Sequence, residues 1–224
     1  MTGEAVTRLV RVSRFFGDRP VLRRLDLTVE AGRILLVVGQ NGVGKSTLLR
    51  LMAGLLPPSE GEIVSELRPG AIGYIGHKTL TYPKLTARAN LAFWRSLYGL
   101  PRDAAAVEAV LVRVGLARYA DEEAGVFSRG MAQRLSLARV FLTAPRLLLL
   151  DEPASGLDPA SAVWLGREIR DAATAGAAVV WVSHQVLADM PLADRVLCLK
   201  DGRAGYDGPS TGFDPSTISP EMAC

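Results

Sequence analysis

Apolar residues along the chain fall into short runs with two distinct periods. From Val6 to Val12 and from Val21 to Val29, apolar and polar residues alternate, and Gly17-Asp18-Arg19-Pro20 between them supplies turn chemistry. That alternation predicts two antiparallel strands of a small sheet. Arg33 to Val38 (RILLVV) is almost wholly apolar and β-rich, the pattern of a central parallel strand buried on both faces. It runs into a glycine-rich turn and then into Ser46–Ala53, which has helical spacing and a stop at Gly54 and Pro57. Ile63–Val64 and Ala71–Ile75 predict short strands.

From Thr86 the period changes to that of a helix. Thr86 has N-cap chemistry, Leu91, Trp94 and Tyr98 share one face, and Gly99–Pro101 ends the run. Ala104–Val114 and Ser128–Leu142 predict two more helices. Strand patterns resume at Leu147–Leu150, Val179–Val182 and Val196–Leu199, with a helix over Pro159–Ala173 between the first two. From Asp207 the chain is rich in Pro, Ser, Thr and Gly, which predicts a loosely ordered tail over 207–224. The reading is α/β: one domain over residues 1–206, with a helical insertion at about 78–145.

Composition narrows this only slightly. The 224 residues are 49% hydrophobic, enough for one sizeable core, and the net charge of +3 predicts a mixed, solvated surface. A mean hydropathy of +0.20 is high, yet no apolar run approaches the ~18 residues that a membrane-crossing helix needs. A membrane-spanning part, if this chain serves one, is expected on another chain. Cys198 and Cys224 form no spaced pair and no signal peptide opens the chain, so a reducing cytosol is expected.

The chemistry begins at Gly39. Gly39, Gln40, Asn41, Gly42, Val43, Gly44, Lys45 and Ser46 match G-x-x-x-x-G-K-[ST] between a predicted strand and a predicted helix. Glycines let successive backbone N–H groups converge on phosphate oxygens, and the following helix adds its positive end. Lys45 is expected to reach the β- and γ-phosphates, Ser46 to hold Mg2+, and Thr47 to bond the α-phosphate. The ligands expected are therefore ATP and Mg2+.

Asp151 and Glu152 end the apolar run 147–150, at the strand edge where ligands gather in open parallel sheets. Asp151 is expected to hold the metal, and Glu152 to accept a proton from the attacking water. His184 follows the run 179–182 at the same edge. It is expected to bond the γ-phosphate and place that water.

Taken in order, these residues resemble the ABC ATPases across nearly the whole chain. Ser128, Arg129, Gly130 and Met131, after Phe127, look like the family signature L-S-G-G-Q, with Arg129 and Met131 departing from it. Arg129 has two open readings, added charge at the phosphates or a side chain in solvent. Ser155-Gly-Leu-Asp158 resembles the loop that crosses the dimer interface, and Phe16 matches the position of a ring stacked on adenine. The resemblance implies a P-loop NTPase core with a parallel sheet, a small antiparallel β-subdomain and an inserted α-helical subdomain. It also implies an ATPase in which two copies sandwich two ATP molecules, working with a separate transmembrane subunit at the cytoplasmic face of the inner membrane. Where most relatives carry a glutamine, this chain has His77, a further candidate Mg2+ ligand through one ring nitrogen. Gly76-His77 and the stretch 85–94 resemble the haem-exporter ATPases of bacterial cytochrome c maturation. Other exporters, of drugs, lipids or polysaccharides, have similar stretches. Tyr82, Leu85 and Phe93 are candidates for a groove that receives a helix of the membrane subunit. No nucleic acid is expected, because the chain has neither a coiled coil nor a basic arm.

Overall fold

The computed structural model describes residues 3–76 and 79–218. Two sheets share the chain. β1 (Ala5–Phe16) and β2 (Arg19–Glu30) form an antiparallel hairpin, and β4 (Glu60–Ser65) pairs with the other edge of β1. The hairpin runs past the alternating segments to pair Phe16 with Arg19 across the turn. β4 (EGEIVS) is exposed at almost every position, as befits an edge strand held by backbone pairing.

The second sheet is built on β3 (Ile34–Gly39), β5 (Ile72–Ile75), β6 (Leu147–Asp151), β7 (Ala178–Val182), β8 (Arg195–Lys200) and β9 (Arg203–Pro209). Their order is β5-β6-β7-β3-β8-β9, parallel except for β9. All residues of β3, β6 and β7 are buried, because both faces of the sheet are covered. Leu35 and Val37 face a core shared with the antiparallel sheet and with α1 (Lys45–Met52), while Ile34, Leu36 and Val38 face the remaining helices. That two-sided burial is why these strands read as unbroken apolar runs.

On the second face lie α2 (Ala87–Leu97), α3 (Ala104–Arg113), α4 (Arg129–Phe141), α5 (Pro159–Thr174) and the single turn α6 (Val186–Asp189). Thr86 caps α2 as its sequence predicts, its Oγ1 accepting from Ala89 N at 3.1 Å. Leu91, Val107, Leu111 and Leu135 join the helices into the main core. Asn90 is buried and ties the preceding loop down, accepting from Tyr82 N at 2.7 Å and donating to Tyr82 O at 3.0 Å. Tyr82 and Phe93 remain exposed beside each other, ring centroids 4.7 Å apart, and Leu85 is half-buried. Trp94 and Tyr98 are half-buried against Arg139, whose guanidinium lies 4.9 Å from the Trp94 ring centre and donates to Tyr98 Oη at 2.9 Å.

The loosely ordered tail is the expectation that fails for the described residues. Asp207 to Pro209 belong to β9, which pairs with β8 from Arg195↔Pro209 to Lys200↔Arg203. Beyond it two short 3-10 turns carry Phe213 and Ile218 into the main core, both buried. Backbone pairing and two apolar anchors hold a segment whose composition reads as loose. The remainder of the expected tail, including Cys224, lies outside the described residues.

Candidate functional site

Strand register assembles the site. Val182 of β7 is level with Val37 of β3 and with Asp151 of β6, so the ends of the three strands open at one edge. The loop after β3, the acid pair after β6 and His184 after β7 therefore converge there.

The loop turns tightly. Gly39 has φ 139°, and a Cβ there would sit 2.5 Å from the carbonyl oxygen of Leu199, so only glycine fits. Gly44 caps α1 in the left-handed region with no side-chain bond, which leaves the first N–H groups of the helix to an outside acceptor. Lys45 Nζ donates to Gly39 O at 2.7 Å and to Gln40 O at 3.1 Å. Burial holds its ammonium below the ordinary lysine value, and Glu152 and Asp151 partly oppose that shift. Ser46 Oγ donates to Asp151 Oδ1 at 3.1 Å, which brings a hydroxyl and a carboxylate together.

A cavity of about 530 Å³ is lined by Asn41, Gly42, Gly44, Lys45, Ser46 and Thr47 from the loop side, closed by Glu152 and by Phe16 at the rim. Phe16 is 46% exposed, with the Arg14 guanidinium 4.8 Å from its ring centre. A cavity of similar size, about 540 Å³, lies behind the loop, where Gly39, Gln40 and Val43 face Leu199 and Asp201. It contains none of Lys45, Ser46 or Glu152, all three of which line the first.

Glu152 adopts φ 55°, a left-handed conformation that costs a non-glycine residue roughly 1–3 kcal/mol. Its N–H is fixed on Val182 O at 3.0 Å and its Oε1 lies 2.5 Å from His184 Nε2. His184 thus faces Glu152 and does not line the cavity. Ser183 braces the turn, donating to the Asp189 carboxylate and accepting from Gln185 N at 2.9 Å. Burial pushes the Asp189 carboxyl above its ordinary value, and the Ser183 bond opposes that rise. Sequence reading missed this brace, because an acid five residues after a histidine carries no motif of its own.

The signature-like residues sit elsewhere. Ser128 caps α4, its Oγ accepting from Met131 N at 3.2 Å. Asp158 caps α5, accepting from Ser161 N at 2.9 Å and Ser161 Oγ at 2.6 Å, and these bonds hold its carboxyl below the ordinary range. None of Ser128, Arg129, Gly130, Met131 or Asp158 lines the cavity. Arg129 is exposed, but it does not simply project into solvent: Nη2 donates to Ser155 Oγ at 3.1 Å. His77 lies outside the described residues.

Among the described residues no three His, Cys, Asp or Glu side chains cluster to hold a metal. The Ser46–Asp151 pair still suits Mg2+, which takes few protein oxygens and completes its shell with water and phosphate.

A cavity lined by the phosphate loop, with an acid pair at the edge of a parallel sheet, is the arrangement of a P-loop NTPase. The chain matches the family description "ABC transporter" over residues 22–155. It belongs to that family. It is an ABC transporter ATP-binding domain, an ATPase by family, with ATP and Mg2+ as its ligands. Such subunits work with transmembrane subunits and usually dimerise. Among its relatives, an aliphatic sulfonates import ATP-binding protein of Rhodopseudomonas palustris is 38% identical over 87% of this chain and 70% of that one. A cytochrome c biogenesis ATP-binding export protein of Cereibacter sphaeroides is 40% identical over 84% of this chain and 86% of its own. A solved ATP-binding subunit of an ABC transporter superposes with a TM-score of 0.86 over 98% of this chain and all of its own, at 24% identity. At that identity the likeness concerns the fold. Among the described residues, no helix of this ABC subunit is long and apolar enough to cross a membrane.

Proposed function

We propose that two copies of this subunit enclose two ATP molecules, each copy giving its phosphate loop to one and its Ser128–Met131 segment to the other. The supporting observation is a separation. Ser128 and Asp158 are exposed and lie outside the cavity that holds Lys45 and Glu152. A second copy is the natural source of donors for the open side of that cavity.

Within each site Lys45 leaves the carbonyls of Gly39 and Gln40 for phosphate oxygens, and N–H groups of residues 39–44 surround them. Thr47 bonds the α-phosphate and Phe16 stacks on the base. Ser46 and Asp151 hold Mg2+, which would neutralise charge on the β- and γ-phosphates. Glu152 takes the proton of the attacking water, and His184 fixes the carboxylate through its 2.5 Å contact. Closure is passed to a separate transmembrane subunit seated near Tyr82, Leu85 and Phe93, at the cytoplasmic face of the membrane. His77 stands in for the usual glutamine on that route.

The cargo we assign is haem, exported for cytochrome c biogenesis. The export-type relative is 40% identical over 84% of this chain, and Gly76-His77 and the stretch 85–94 resemble the haem-exporter ATPases. A second reading, sulfonate import, is favoured by the larger number of import-type relatives among the most similar proteins. Deleting the gene separates them. Loss of c-type cytochromes with normal growth on sulfonates as the sulfur source supports haem export. The reverse phenotype replaces it with import.

A further inference from the structure

We propose that Arg129 is a positioning residue: it latches the loop after Glu152 to the start of α4 and thereby sets the geometry of Glu152. This rests on the ATPase reading above and goes beyond it. Arg129 occupies the first turn of α4, where the helix dipole disfavours a cation and no acidic residue offsets it. Helix electrostatics therefore give no reason for an arginine here. Its contacts do.

Nη2 donates to Ser155 Oγ at 3.1 Å. The side chain also lies flat on Gly156: a Cβ there would be 2.6 Å from Nε and 2.8 Å from both Cδ and Cζ. The glycine makes the space that the guanidinium fills. One turn along the same face of α4, Gln133 Nε2 donates to Pro153 O at 3.1 Å. Two side chains of one helix thus grip residues 153–156. That segment is closed on itself by Ser155 N donating to Glu152 O at 3.0 Å, so the latch reaches Glu152 through a single tight turn. The signature-like helix and the carboxylate would then move as one piece when two copies close.

The test uses the full-length chain with Mg2+ and ATP, comparing wild type with Arg129→Ala, Ser155→Ala, the double variant and Ser155→Thr. Losing this bond should lower kcat about tenfold in each single variant, with KM for ATP within about twofold in Ser155→Ala, which lies outside the segment given to the other copy's ATP. The double variant should be no slower than either single one, because both remove one interaction. Ser155→Thr keeps the hydroxyl and should keep the wild-type rate. Amide hydrogen exchange without nucleotide should quicken at Ser155 and Leu157 about tenfold in Arg129→Ala. A loss in Arg129→Ala with none in Ser155→Ala, additive losses, or unchanged exchange would each overturn the latch. A wild-type chain without ATPase activity would sink the ATPase reading, and the exchange data would still decide the latch.

Discussion

Replacing Lys45 with methionine removes the ammonium and keeps an unbranched stem beneath the phosphate loop. In the wild type Nζ is held by two carbonyls, at 2.7 and 3.1 Å. A phosphate charge ~4 Å from it gains about 4 kcal/mol at an effective dielectric constant near 20. Giving up two carbonyl bonds returns about 1 kcal/mol each. The difference, about 2 kcal/mol, predicts ATP binding weakened about thirtyfold in Lys45→Met. Stability should move the other way or stay level, since burial makes the charged ammonium costlier inside than in water. The sign of the pH dependence follows from the lowered value. Between that value and 10.5 the unfolded chain holds the Lys45 proton and the folded chain does not, so wild-type stability gains from this group as pH rises. The variant lacks that gain. Fluorescent-nucleotide titration gives the affinity, and thermal unfolding across pH gives the stability. A variant that loses more than about 2 kcal/mol of stability yet binds ATP within threefold of wild type would refute the reasoning.

Phe16→Ala should weaken ATP binding about three- to tenfold through lost stacking, with little change in stability because the ring is 46% exposed; competition titration and thermal unfolding read both. Asp151→Asn should abolish the Mg2+ enhancement of ATP binding and leave binding in a chelator nearly unchanged, measured by titration with and without Mg2+. Phe213→Ala should cost about 3 kcal/mol in urea unfolding, since its ring is buried against Tyr206 at 5.1 Å; a segment that contributes nothing to the fold would show no change.

The central strands were readable because burial on both faces leaves an unmistakable apolar run in 34–38, 147–150 and 179–182. The phosphate loop was readable because its chemistry is local: glycines, a lysine and a hydroxyl follow one another along the chain. β9 was not, because RAGYDGP has neither alternation nor an apolar run and is held by pairing with β8. Phe213 and Ile218 were similarly silent, since two isolated anchors make no period. The acid pair and His184 were each legible as loop residues at a strand end. The 2.5 Å contact of Glu152 with His184 depends on Asp151 standing level with Val182, a tertiary fact that no local pattern encodes. Arg129 shows the same limit, for its partner lies on the loop that follows β6.

In the proposed cycle ATP joins two copies and Glu152 activates the attacking water. Glu152→Gln keeps the shape of the side chain and removes the base, so binding should persist while turnover stops. Light scattering of this variant with Mg2+ and ATP tests this directly. The expected species has twice the 24.0 kDa chain mass and retains unhydrolysed ATP. A monomer saturated with ATP, or hydrolysis at the wild-type rate, would contradict it.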